Sequence, residues 1–260
     1  MLVLMRRVRL LPNLITAFGL ACGLFVIFKM SLVTPEAPPY PVLKAAAVLL
    51  LIAAAADMLD GLTARLIRAE SDFGQIFDSL ADGVTFGVAP AVLTLKSFTL
   101  DSEAEVGIIL SLAAMLFAIC GVLRLVRYSV NPPEGPRRHF TGLPIPAAAA
   151  GLVSLTLLLS APQFPFILSD HVRGLILGAT MLALGYLMVS PVRFPALNVL
   201  QARLASQNLI LLTAFGAVVA FYGIHRYFPI VFAATAWGYL AVGLALAAGR
   251  LLTGRSSKTA

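Results

Sequence analysis

The sequence predicts an all-α polytopic membrane protein, a bundle of about eight transmembrane helices with both termini in the cytoplasm. Three observations predict it. The 260-residue chain is 60% hydrophobic and only 12% charged, with a mean hydropathy of +0.94, whereas a soluble domain carries about 25% charged residues. Its apolar residues gather into runs near the roughly 20 residues needed to cross a bilayer. Its cations are sorted: with the N-terminus inside, 14 of the 19 Lys and Arg fall on inner segments and 5 on outer ones, the bias expected of cytoplasmic loops.

The elements follow in order. Residues 1–11 mix Arg6, Arg7 and Arg9 with Leu, Val and Met, a pattern that suits a short basic segment lying along the inner interface. The apolar runs are 13–33, 42–67, 73–96, 106–128, 145–160, 171–189, 208–224 and 229–249, punctuated by Pro, Gly and charged residues. The first run is long enough to span and no A-x-A-like cleavage site follows it, so it reads as a transmembrane helix and not as a signal peptide. The fifth is short, with Pro144 and Pro146 at its start. No soluble domain fits between the runs, and no repeat is evident. The whole chain reads as one membrane domain: the basic segment 1–11, a catalytic core 12–149 and additional helices 150–260.

The net charge of +7 does not point to nucleic acid, because the cations sit between apolar runs and not on one patch. Cys22 and Cys120 lie inside apolar runs with neither disulfide nor metal spacing, and read as packing residues. His139, His171 and His225 suggest no role.

Ionisable residues inside a membrane are costly and point to function. Of the twelve acids, Asp57, Asp60, Asp78 and Asp82 fall in apolar stretches on either side of one short loop. Asp57 and Asp60 share a face of the second helix at i, i+3, and Asp78 and Asp82 share a face of the third at i, i+4. If the two helices form an antiparallel hairpin, Asp60 matches Asp78 in depth and Asp57 matches Asp82, roughly 13–18 Å from the turn at about 1.5 Å per residue. Four facing carboxylates repel in a low dielectric. Oxygen-only ligands select a hard divalent ion, Mg²⁺, Mn²⁺ or Ca²⁺, and two such ions nearly neutralise the four charges. Such a centre can clamp a diphosphate. Gly61, Ala64 and Gly74 lie one turn from the acids, where small residues allow either close approach of a ligand or tight helix packing.

These residues spell Asp57-x2-Asp60-Gly61-x2-Ala64-Arg65-x8-Gly74-x3-Asp78-x3-Asp82, which resembles the signature of the CDP-alcohol phosphotransferase family at every fixed position. The segments Pro12–Thr16, Ala81–Pro90, Arg124–Tyr128 and Phe140–Ala149 are similar to its membrane-type phosphatidylserine synthases. The resemblance covers about residues 12–149. It implies a helical membrane fold with a cavity open to the cytoplasm, two divalent ions (Mg²⁺ or Mn²⁺, with Ca²⁺ a further option), and location in the cytoplasmic membrane. It implies CDP-diacylglycerol and L-serine as substrates, with phosphatidylserine and CMP as products, and is compatible with a homodimer.

By the same resemblance Asp57, Asp60, Asp78 and Asp82 are metal ligands, and Asp82 is also the general base that takes the proton of the incoming hydroxyl. Gly61, Ala64 and Gly74 border the cytidine diphosphate, and Arg65 pairs with an acid or phosphate nearby. Asn13 and Thr16 can reach the nucleotide from the first helix, although Asn13 can equally cap that helix. Arg124, Arg127 and Arg138 can grip the carboxylate of serine or serve as inner-face, headgroup-binding arginines. Two positions depart from the subfamily: Ser129 where Asn is common, and Ile145 where Ser is common. The alternatives are the same chemistry with glycerol 3-phosphate, inositol phosphate or choline, and a cation-coupled transporter, which the missing repeat disfavours.

Overall fold

A computed structural model of the chain describes residues 11–32, 40–66, 71–98, 104–130, 139–162, 168–195 and 227–252. The helices are α1 (Leu11–Ser31), α2 (Tyr40–Leu66), α3 (Asp72–Asp82), a π-helical turn (Gly83–Val88), α4 (Ala89–Lys96), α5 (Ala104–Val130), α6 (Ile145–Ser160), α7 (Asp170–Val189) and α8 (Phe228–Leu252). Among the described residues, six stretches are long and apolar enough to cross a membrane, with α3, the π turn and α4 forming one of them. The short α6 is a seventh apolar helix. Seven of the eight expected runs thus have helical counterparts, and the expected span 208–224 lies outside the described residues.

The bundle is apolar outside as well as inside. Leu14, Phe18, Phe25 and Phe28 of α1 and Ile109, Leu112, Leu116 and Leu123 of α5 are all exposed, a surface that suits lipid and not water. Most of the buried polar residues, by contrast, are Thr and Ser, joined by Asp60 and Arg124.

The short α6 sits in the middle. Ala148, Leu152, Val153 and Leu157 are buried, and it packs against α2, α4, α7 and α8. Pro144 precedes its first residue and Pro146 lies in its first turn, where the missing N–H has no intrahelical partner to lose. The two prolines therefore start the helix cleanly.

The third span is not a uniform α-helix. Past Asp82 the backbone widens, and the Ala89 N–H donates to the Val84 carbonyl five residues back. Pro90 supplies the reason: it has no N–H, and its ring would crowd the carbonyl four residues back in regular α geometry. One wide turn absorbs the conflict. The π turn packs against α1, α2, α5 and α6.

Small residues let the helices close in. Gly87 faces Ala118 and Gly121 of α5, and the Ile145 Cδ1 fills the notch between them; a Cβ on Gly121 would lie 2.7 Å from that carbon. A two-stranded ribbon closes one end, with β1 (His139–Thr141) antiparallel to β2 (Arg193–Pro195) and Phe140 opposite Phe194. Gly142 follows β1 at φ +80°, its N–H donating to the Val192 carbonyl at 2.7 Å. A side chain there would be strained and would strike the Met188 carbonyl. Gly243 of α8 lies against the buried Phe194 ring, tying the last helix to the ribbon.

Candidate active site

The four aspartates converge, but not as a tightly packed hairpin. Helices α2 and α3 make little backbone contact, and α1 lies along both. The carboxylates of the two acidic helices therefore meet across a cleft, with α1 packed along both.

Carboxylate oxygens of Asp57, Asp60 and Asp78 all lie within 4.8 Å of one another. The Asp57 and Asp82 side chains face each other, in line with their expected match in depth. Asp60 is 4% exposed and held from two directions. It accepts from the Thr16 hydroxyl at 2.6 Å and from the Gly61 backbone N–H. The buried Asp78 Oδ1 has no hydrogen-bond partner among the described residues. The cleft is lined by Thr16, Gly19, Asp57, Asp60, Asp78, Asp82, Thr85 and Phe86, with the apolar Leu20, Ala53 and Ala81 between them.

This donor set fits a hard divalent cation. It is all oxygen, it carries several negative charges in a low-dielectric setting, and one buried oxygen lacks a partner. Oxygens on opposite sides of one such ion lie about 4–5 Å apart, which matches the spread of the three carboxylates. The cluster can therefore hold a divalent metal.

The other expected site residues fall into groups. Thr16 touches the cluster directly. Asn13 stands beside Gly74: a Cβ there would lie 3.1 Å from its Oδ1, so this glycine admits a neighbouring side chain. Helix α1 begins at Leu11, which puts Asn13 inside the first turn and removes the capping alternative. The capping residue at α3 is Ser71, whose hydroxyl accepts from the Gly74 N–H at 3.1 Å. Among the described residues, nothing lies within 4 Å of where a Cβ on Gly61 would be, next to Asp60. The side chains of Ala64 and Arg65, and all of Arg138, lie outside those described.

The two arginines of α5 differ. Arg124 is 8% exposed, with its guanidinium 4.8 Å from the Tyr128 ring centroid. The neighbouring Val122 and Leu125 flank Gly83, next to Asp82 in the chain. Arg127 is exposed and donates to the Val189 carbonyl at 3.4 Å, at the end of α7, where a cation suits the helix dipole. The two departures are not in the cleft. Ser129 is exposed and bonds back to the Leu125 carbonyl at 3.1 Å, and Ile145 is the buried wedge against Gly121. Thr85 and Phe86 line the cleft without having been singled out beforehand. The available signal was a hydroxyl three residues past Asp82 in an otherwise apolar run.

Comparison with known proteins agrees with this geometry. The family model described as CDP-alcohol phosphatidyltransferase matches residues 9–192, reaching through α7. A Helicobacter pylori protein named CDP-diacylglycerol–serine O-phosphatidyltransferase is 38% identical over 186 residues, covering 72% of this chain and 72% of its own. A Bacillus subtilis protein of the same name is 35% identical over 185 residues, covering 71% of this chain and 89% of its own. A third, from Methanocaldococcus jannaschii, is 37% identical over 139 residues, covering 54% and 58%. With the signature, the cleft and these matches in agreement, the chain belongs to the CDP-alcohol phosphatidyltransferase family.

Proposed function

We propose that this enzyme transfers the phosphatidyl group of CDP-diacylglycerol to L-serine, giving phosphatidylserine and CMP, with two divalent ions (Mg²⁺ or Mn²⁺) held by Asp57, Asp60, Asp78 and Asp82. The observation that carries the reading is the three carboxylate oxygens within 4.8 Å inside a membrane bundle, in a chain similar to several proteins of that named activity. Ions bound there would clamp the diphosphate and offset charge developing on its oxygens.

The chain's own residues do the rest. The space left at Gly61 among the described residues gives room for the cytidine diphosphate beside Asp60. Thr16 and the Gly61 N–H hold the Asp60 carboxylate in place. Asp82 takes the proton from the serine hydroxyl as its oxygen attacks the β-phosphate and CMP leaves. Arg124 is the candidate partner for the serine carboxylate: it is a buried cation on the helix whose Val122 and Leu125 pack against Gly83, beside Asp82, whereas Arg127 is exposed. The cleft faces the cytoplasm of the inner membrane, following the Lys and Arg bias.

The test uses purified protein with Mn²⁺ or Mg²⁺, CDP-diacylglycerol and labelled serine. Labelled lipid and stoichiometric CMP are expected. CMP released with glycerol 3-phosphate, inositol phosphate or choline, but not with serine, would overturn the acceptor. Within the pocket, R124K should raise the KM for serine about tenfold, because an ammonium cannot reproduce a bidentate guanidinium grip. R127K should leave it unchanged.

A further inference from the structure

Thr85 is 2% exposed, lines the acidic cleft, and its Oγ1 has no hydrogen-bond partner among the described residues. That is unusual for this chain. Thr63, Ser111, Thr180 and Thr235 each donate to the carbonyl four residues back in their own helix, the ordinary outlet for a hydroxyl on a membrane helix. Thr85 sits in the π turn, where the regular ladder is broken.

Its place is fixed from the other side as well. A Cβ on Gly23 of α1 would lie 2.7 Å from the Thr85 Oγ1 and 2.9 Å from its Cα. No residue but glycine lets α1 rest flat on this turn. The π turn and Gly23 thus hold a buried hydroxyl at the cleft wall, one turn past Asp82, with no hydrogen-bond partner among the described residues.

We propose that Thr85 is a positioning residue for the carboxylate cluster, its hydroxyl holding an ordered water against the facing Asp57 and Asp82 carboxyls. The cleft has space for water-sized occupants, about 10 Å³, and a hydroxyl plus two carboxylates supply the polar partners a buried water needs. Such outer partners orient metal-binding carboxylates, and their loss commonly weakens metal affinity or activity about 10- to 100-fold. The inference rests on the reading that these aspartates hold a divalent ion.

Mn²⁺ binding to the detergent-solubilised full chain, without substrates, tests it by the EPR signal of free Mn²⁺. T85V and T85A, which remove the hydroxyl with and without a similar volume, are each expected to weaken Mn²⁺ binding about tenfold, while T85S stays within about twofold of the native chain. Native Mn²⁺ affinity in T85A overturns the proposal, and so does a T85S loss equal to that of T85A, since shape and not the hydroxyl would then matter. D57N separates the two readings. If D57N loses Mn²⁺ binding while T85A keeps it, only the role of Thr85 fails. If D57N also binds Mn²⁺ normally, the metal reading of the cluster fails first.

Discussion

At the end of the bundle away from the acidic cleft, four buried hydroxyls are all satisfied. Thr94 and Thr156 meet at 2.9 Å, Thr156 also reaches the Leu152 carbonyl, Ser97 reaches that of Thr94, and Ser154 that of Gly151. Around them Leu43, Leu93, Val153, Leu157 and Phe228 form a closed apolar core. In the cleft, Asp78 Oδ1 and Thr85 Oγ1 are buried without partners, and carboxylates crowd together. Helices α1 and α2 run through both regions. In the apolar core, each of these four hydroxyls finds a mate within the chain. Where groups are left over, the chain is arranged for something it does not itself contain.

The largest expected effect comes from breaking the cleft side. D82N should lower turnover about a thousandfold, the scale of losing a general base, with the melting temperature kept; undiminished CMP release would remove Asp82 from that role. The outer core should respond in the opposite way. L157A removes a fully buried side chain and should cost about 2–5 kcal/mol of stability, read as a lowered unfolding midpoint in detergent, with kcat unaltered at permissive temperature.

Metal should act on the cleft alone. Mn²⁺ at about 100 times its Kd should stabilise the native protein by about 2.7 kcal/mol, visible as a raised melting temperature that EDTA reverses and D57N abolishes. D78N should raise the midpoint of the metal-free protein by about 2–4 °C if it relieves about 1 kcal/mol of repulsion. An unchanged or lower midpoint would show that the carboxylates do not strain the empty cleft.

The smallest effect lies where the two regions join. G121A should cost about 1 kcal/mol, because its methyl meets the Ile145 Cδ1 at 2.7 Å. I145V should recover most of that loss in a double-mutant cycle. Additive losses would mean that the wedge is not what resists the methyl.

Much of this was legible beforehand, for physical reasons. Charges in apolar runs stand out against the cost of burying them, so Asp57, Asp60, Asp78 and Asp82 were readable as a cluster. Helical periodicity placed them on shared faces, and Thr16 on the first helix was within reach. Hydropathy marked the spans, since each must satisfy its backbone within itself. What stayed hidden depends on contacts distant in sequence. The packing of α1 along both acidic helices is one such set of contacts. The wide turn at Gly83–Val88 needed Pro90 to be read as a change of register and not as a helix end. The carbonyl that Arg127 meets, and the glycine notch that Ile145 fills, involve residues far away along the chain. Strands of three residues, paired across β1 and β2, carry too little pattern to announce themselves.

The most direct measurement of the central claim is an anomalous-difference map from crystals of the protein soaked in Mn²⁺. Density is predicted among the carboxylates of Asp57, Asp60 and Asp78, and its loss in D57N crystals. A map with no peak there, from active protein at saturating Mn²⁺, would contradict the account.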